Sequence, residues 1–106
     1  MILNINIDQE YFELDVPDAL MTELEPVIKD MDKDFEKGVQ MGRFWVDEPT
    51  DEQRCQVAAN NLVNAMHAEN KRMLYLMSAY ILSKYAEIKE VIVNSDYEMQ
   101  DIDIRV

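Results

Sequence analysis

The chain has 106 residues, 48% hydrophobic and 30% charged, with a net charge of −12, two glycines and one cysteine. That balance belongs to one folded domain, residues 1–106, with a modest core, and it excludes a disordered chain. Residues 1–38 hold eleven acids and three bases, residues 39–86 five of each, and residues 87–106 six acids and two bases. Both ends therefore repel phosphate and anionic lipid, so neither nucleic acid nor a membrane surface is expected as a partner.

Ile2, Leu3, Ile5 and Ile7 with Asn4 and Asn6 between them give the period of two that marks a strand with one buried face. After Asp8-Gln9-Glu10 the chain returns as Tyr11 to Asp15, so residues 2–15 read as a β-hairpin, although the turn lacks Asn-Gly or Asp-Gly. Met1 to Asp8 has neither a basic region nor a sustained apolar stretch, so it does not read as a signal peptide. Asp15-Val16-Pro17-Asp18 reads as a helix start with Asp15 as the cap. A helical stripe of Leu20, Met21, Leu24, Val27, Ile28, Met31 and Phe35 then runs to Gly38. Pro26 lies inside it and predicts a kink near Thr22, or a restart capped there.

Residues 38–49 have the composition of a loop, with Gly38, Gly42 and Pro49, yet they carry Arg43, Phe44 and the sole tryptophan, Trp45. This segment is either an anchor over the core or a contact surface. The need of a small domain for large apolar side chains favours the anchor for Trp45, while the Arg43-Phe44-Trp45 cluster is the candidate partner contact.

Thr50-Asp51-Glu52-Gln53 is a capping box with acids where the helix dipole favours them. From Thr50 to Ala86 no Gly or Pro occurs, and Cys55, Ala59, Leu62, Met66, Met73, Leu76, Met77 and Tyr80 keep a helical spacing. Asn70 is the one plausible stop, but the row keeps phase across it, which favours one continuous or gently bent helix over a helix-turn-helix. Such a helix would run about 55 Å and protrude. A homodimer through this row, with Met66 and Met73 as contacts, is the expected remedy.

Val91-Ile92-Val93 and the alternation at Ile102, Ile104 and Val106 read as a short strand or helix end followed by a strand. The elements predict an α+β fold, mainly helical. Its small antiparallel sheet comes from the N-terminal hairpin and the C-terminal strand, beside a kinked helix and one long or broken helix.

No catalytic, cofactor or metal site is expected. Asp30-x-Asp32-x-Asp34 copies the start of a calcium loop but has Phe35 and Met41 where Gly and Glu belong. His67 stands alone, with Asn64 where a di-iron motif needs Glu, and Cys55 lies in the apolar row, where burial makes a thiol inert. A lone cysteine and eight methionines suit the reducing cytoplasm. The function that fits is a small acidic interaction module without catalysis. The alternative is a small enzyme or ligand-binding domain with an unrecognised carboxylate site.

Overall fold

The alternation in the first fifteen residues closes into a hairpin, β1 (Ile2–Ile7) and β2 (Glu10–Asp15), in a computed structural model that describes residues 1–96 and 98–106. The pairs Leu3↔Leu14, Ile5↔Phe12 and Ile7↔Glu10 share the face turned to the core. Asp8 and Gln9 form the turn with φ of 51° and 71°, the left-handed pair of a type I′ hairpin. With no glycine there, hydrogen bonds hold it. The Gln9 N–H donates to Asn6 Oδ1 at 2.9 Å, and the Asp8 N–H donates to the Val93 carbonyl at 2.9 Å.

The next helix, α1 (Asp18–Phe35), runs without interruption through Pro26, which sits on its exposed side. A second capped helix does not start at Thr22, whose hydroxyl donates back to the Asp18 carbonyl at 3.2 Å. Asp15 is not the cap either. It ends β2, and Pro17 holds the cap position without a side-chain hydrogen bond. The expected loop at residues 38–49 contains a second, two-stranded sheet, β3 (Val39–Met41) and β4 (Phe44–Val46). Gly42, at φ 60°, opens its two-residue turn.

The capping box forms as read: the Gln53 N–H donates to Thr50 Oγ1 at 3.1 Å, and the Thr50 N–H to Gln53 Oε1 at 2.9 Å. The helix it opens does not reach Ala86. It ends as α2 (Asp51–His67), and α3 (Lys71–Lys84) follows. Between them the Asn70 N–H donates to the Ala65 carbonyl at 2.9 Å and the Glu69 N–H to the Met66 carbonyl at 3.2 Å, with Glu69 left-handed at φ 55°. This is a Schellman ending with Glu69 in the place usually held by glycine. Asn70 Oδ1 then accepts from the Met73 N–H at 3.1 Å and caps α3.

The continuous helix is thus corrected to a helical hairpin. The largest extent of the molecule is 34 Å, against the roughly 55 Å of an unbroken helix. The apolar row keeps phase because both helices turn it toward one core: Cys55, Ala59, Leu62 and Tyr80 are 0% exposed and Met77 is 4% exposed. The homodimer expected through that row loses the protruding helix that motivated it; of its named contacts Met66 is half-buried and Met73 is 37% exposed.

Residues 90–106 supply β5 (Glu90–Val93), a single 3-10 turn (Met99–Asp101) and β6 (Asp103–Arg105). The sheet order is β2-β1-β5-β6. β5 lies parallel to β1 and β6 antiparallel to β5, so the sheet is mixed. The fold is α+β, as the sequence pattern predicts. Among the described residues no helix is long and apolar enough to cross a membrane.

α2 is the central element, buried at five successive positions from Cys55 to Ala59 and packed on both α3 and the sheet. Small residues at Ala58, Ala59 and Ala79 line the fully buried centre of the helical layer. Gln56, itself buried, donates to the carbonyls of Gln100 and Ile102 at 3.0 and 2.9 Å and fixes the C-terminal segment to α2.

Candidate functional site

Three features stand apart from the core: an aromatic hairpin, a polar cluster joining the three helices, and a groove. In the β3–β4 hairpin the register Val39↔Val46, Gln40↔Trp45 and Met41↔Phe44 decides which way each side chain faces. Val39, Met41, Phe44 and Val46 share the inward face, with Met41 1% exposed; Trp45 is on the other face with Gln40. Phe44 overhangs the edge of the core at 63% exposure, and Trp45 is 58% exposed.

Trp45 is therefore no core anchor. Its indole lies across Gly38, where a Cβ would come within 2.5 Å of Cζ2, and its Nε1–H donates to Asp47 Oδ1 at 2.7 Å. Gly38, at φ +92°, supplies both the backbone turn and the space for the ring. The hairpin is held beside its turn, where Gln100 Nε2 donates to the Met41 carbonyl at 2.8 Å and Arg43 in the turn faces Glu98 at 3.7 Å.

In the polar cluster Asp32 of α1 meets α2 and α3. Its Oδ1 accepts from Arg54 Nη1 at 3.1 Å and from the Tyr80 hydroxyl at 2.6 Å, and its Oδ2 accepts from Lys84 Nζ at 2.6 Å. Burial pushes the Asp32 carboxyl up. The hydrogen bonds from Lys84 and Tyr80, the Lys84 charge and the Arg54 hydrogen bond together outweigh it and hold the group below the usual carboxylate range. Burial, then the Asp32 hydrogen bond, raises the Tyr80 phenol. Arg54 also lies 5.6 Å from the Phe35 ring centre, and Lys84 5.4 Å from that of Tyr80. With three donors on one carboxylate, the cluster is a structural tie and offers no free base. Beside it the Cys55 thiol is pushed up to about 12, chiefly by burial and then by the Asp51 charge, so it is inert.

The groove lies between the turn end of the β1–β2 hairpin, the C-terminal half of α2, and residues 93–95 and 98–102. It encloses about 560 Å³, within the roughly 300–1,000 Å³ usual for ligand sites. Ile7, Phe12, Val63, Val93, Met99 and Ile102 make it apolar in part. Asp8, Glu10 and Glu98 add three carboxylates, and Asn60, Asn64 and His67 form a polar strip along α2. Asp8 accepts the Ser95 N–H at 2.8 Å, and this bond, with a second from the Ser95 side chain, lowers its carboxyl and keeps it ionised. Ser95, His67 and Asp8 border one space without forming a relay. A nucleophilic serine needs a histidine between it and the acid, whereas here the Ser95 N–H is bonded to the acid directly and no hydrogen bond among the described residues joins His67 to either.

Of the residues singled out in the sequence, Arg43, Phe44 and Trp45 share the hairpin, but its register divides Phe44 from Trp45. Met66 packs partly buried and lines the groove, and Met73, 37% exposed, sits in the first turn of α3 and is not part of the groove. Asp30 and Asp34 face solvent while Asp32 points into the helices, and among the described residues no three His, Cys, Asp or Glu converge to hold a metal ion. In the sequence Asn60, Asn61 and Asn64 interrupt the apolar residues of α2 and mark a narrow buried face, but nothing there singles out Asn60 and Asn64 as cavity-lining. No family model, curated protein or solved structure matches the chain, so fold and sites stand on its own residues.

Proposed function

We propose that this chain is a non-catalytic, acidic interaction module of the cytoplasm that recognises another protein through the β3–β4 hairpin. The observation that supports it is the exposure of two adjacent large aromatic residues, Phe44 at 63% and Trp45 at 58%, on a hairpin fixed beside its turn. Exposed aromatic side chains beside an arginine have the composition of interface centres. The single buried thiol suits a reducing compartment, and the net charge of −12 disfavours phosphate and lipid surfaces as partners.

Self-association belongs to the same reading, with the hairpin aromatics replacing the buried helix row as the contact. Light scattering after size exclusion decides it. A mass near 12.5 kDa at tens of micromolar leaves a different protein as the partner. The test of the module is affinity capture from native extract with wild type and with a Phe44→Ala/Trp45→Ala double variant. A co-purifying protein lost from a folded variant supports the reading, and capture unchanged by the substitutions rejects the hairpin as the contact. The volume of the groove favours one competing function, a small-ligand domain. Micromolar stabilisation by one compound in a thermal-shift screen would establish that instead.

A further inference from the structure

We propose that the groove between the β1–β2 hairpin and α2 receives an extended, basic segment of a partner protein, one in which Lys or Arg alternates with apolar residues. This goes beyond the hairpin contact and does not depend on it. The first ground is charge. Three carboxylates, Asp8, Glu10 and Glu98, border the groove; Arg43, outside the lining, lies 3.7 Å from Glu98, and among the described lining residues no Lys or Arg answers Asp8 or Glu10. A second copy of the chain would bring a further charge of −12, so the complement is a basic segment from elsewhere.

The second ground is the strip along α2. The Asn60 and Asn64 side chains make no hydrogen bond to another described residue, although both line a cavity. A carboxamide offers a donor and an acceptor together, as a peptide group does. Four helical residues rise about 6 Å, close to the roughly 6.7 Å between alternate residues of an extended chain. The two amides are thus spaced to meet successive outward-facing peptide groups of such a segment.

The third ground is size and lining. The groove of about 560 Å³ is in the range of sites that take a ligand the size of a few residues. The alternating apolar side chains of that segment would turn toward Phe12, Val63 and Met99, and its cations toward the rim. Hydrogen bonds fix the amide spacing and the carboxylates set the sign of the charge. Extended basic peptide is the occupant that meets both conditions.

The test is an NMR titration of the full, isotope-labelled chain with an octapeptide alternating lysine and valine. A glutamate-valine octapeptide and spermine serve as controls. The expected result is saturable shifts at the side-chain amides of Asn60 and Asn64 and at His67 and Ser95, absent with the glutamate peptide. Asn60→Ala/Asn64→Ala should weaken binding about tenfold, as for two lost hydrogen bonds, with the melting temperature within about 2 °C of wild type. Should that variant misfold, Glu10→Gln/Glu98→Gln tests the rim in its place and should flatten the salt dependence of binding. Equal affinity for spermine, equal affinity in the asparagine variant, or the same shifts arising on concentrating the chain without peptide would each overturn the proposal. Phe44→Ala should leave the titration unchanged, so a failed hairpin contact and a failed groove give different results.

Discussion

Replacing Glu69 by glycine tests the helical hairpin by the sign of a stability change. Glu69 holds φ 55° at the end of α2, a conformation that costs an L-residue roughly 1–2 kcal/mol. Glycine adopts it freely but loses about 0.5–1 kcal/mol more conformational entropy on folding. The net gain expected for Glu69→Gly is about 0.5–1 kcal/mol, or roughly 2–4 °C in melting temperature for a chain of this length. In an unbroken helix from Thr50 to Ala86 the same change would sit mid-helix and cost about 1 kcal/mol. Urea and thermal melts of wild type, Glu69→Gly and Glu69→Ala separate the cases. The alanine variant removes the carboxylate while keeping the Cβ, so it isolates the charge from the backbone effect. A glycine variant less stable than the alanine one would refute the turn at Glu69.

Asn70→Ala removes the side-chain cap of α3 and should cost about 1 kcal/mol in the same melts; no loss would mean that the cap is not formed in solution. Asp32→Asn should cost about 2–3 kcal/mol at neutral pH, less than the 3–5 of a fully buried pair because the cluster is partly exposed. The Asp32 carboxyl lies below its ordinary value in the folded chain, so its contribution is complete above the unfolded value of about 3.9 and is lost as pH falls through the folded one. The gap between wild type and Asp32→Asn should therefore narrow in denaturant melts carried from pH 6 down to pH 2, and a constant gap would contradict the charge assignment. Trp45→Ala should cost only about 1 kcal/mol, far from the roughly 3–5 kcal/mol of an emptied core site, and native Trp45 emission should be red-shifted. Gly38→Ala, which brings a Cβ within 2.5 Å of the indole at a φ of +92°, should cost more than Trp45→Ala. In the Trp45→Ala background that cost should drop to the backbone part alone, and full additivity in this double-mutant cycle would show that the ring does not lie on Gly38.

What the sequence made legible follows from how local each signal is. The β1–β2 hairpin and the Thr50 capping box are encoded within a few residues, and both form. The end of α2 was hidden for two separate reasons. A Schellman ending normally shows itself by glycine, and here the slot holds Glu69. The apolar row also keeps phase, because both arms of the hairpin face one core. β3 and β4 had a readable period of two in Val39, Met41, Phe44 and Val46, but Gly38, Gly42 and Pro49 around it gave the segment the look of a loop. The groove could not be read at all, because its walls come from residues 7–12, 60–67, 93–95 and 98–102 and meet only through the parallel pairing of β1 with β5 and the packing of α2 on the sheet.

The packing of α2 accounts for the polar residues, Asn60, Asn61 and Asn64, that interrupt its apolar positions. A surface helix divides into one apolar and one polar side, but α2 is covered on more than one side. It packs against α3 and the sheet, which accounts for the unbroken burial from Cys55 to Ala59 and for Leu62 and Ala65. Along its second half Asn60, Val63, Asn64 and His67 turn to the groove, so polar residues recur at a spacing that on a two-sided helix would mean solvent. The neutral middle of the chain thus does two jobs at once, closing the core and forming one wall of a cavity. The acids that surround that cavity come from the two ends. Asp8 and Glu10 arrive on the N-terminal hairpin and Glu98 on the C-terminal segment, brought together by β5 pairing beside β1. The concentration of negative charge at the groove is therefore a product of topology, set by a pairing whose members Ile5 and Val91 also belong to the core.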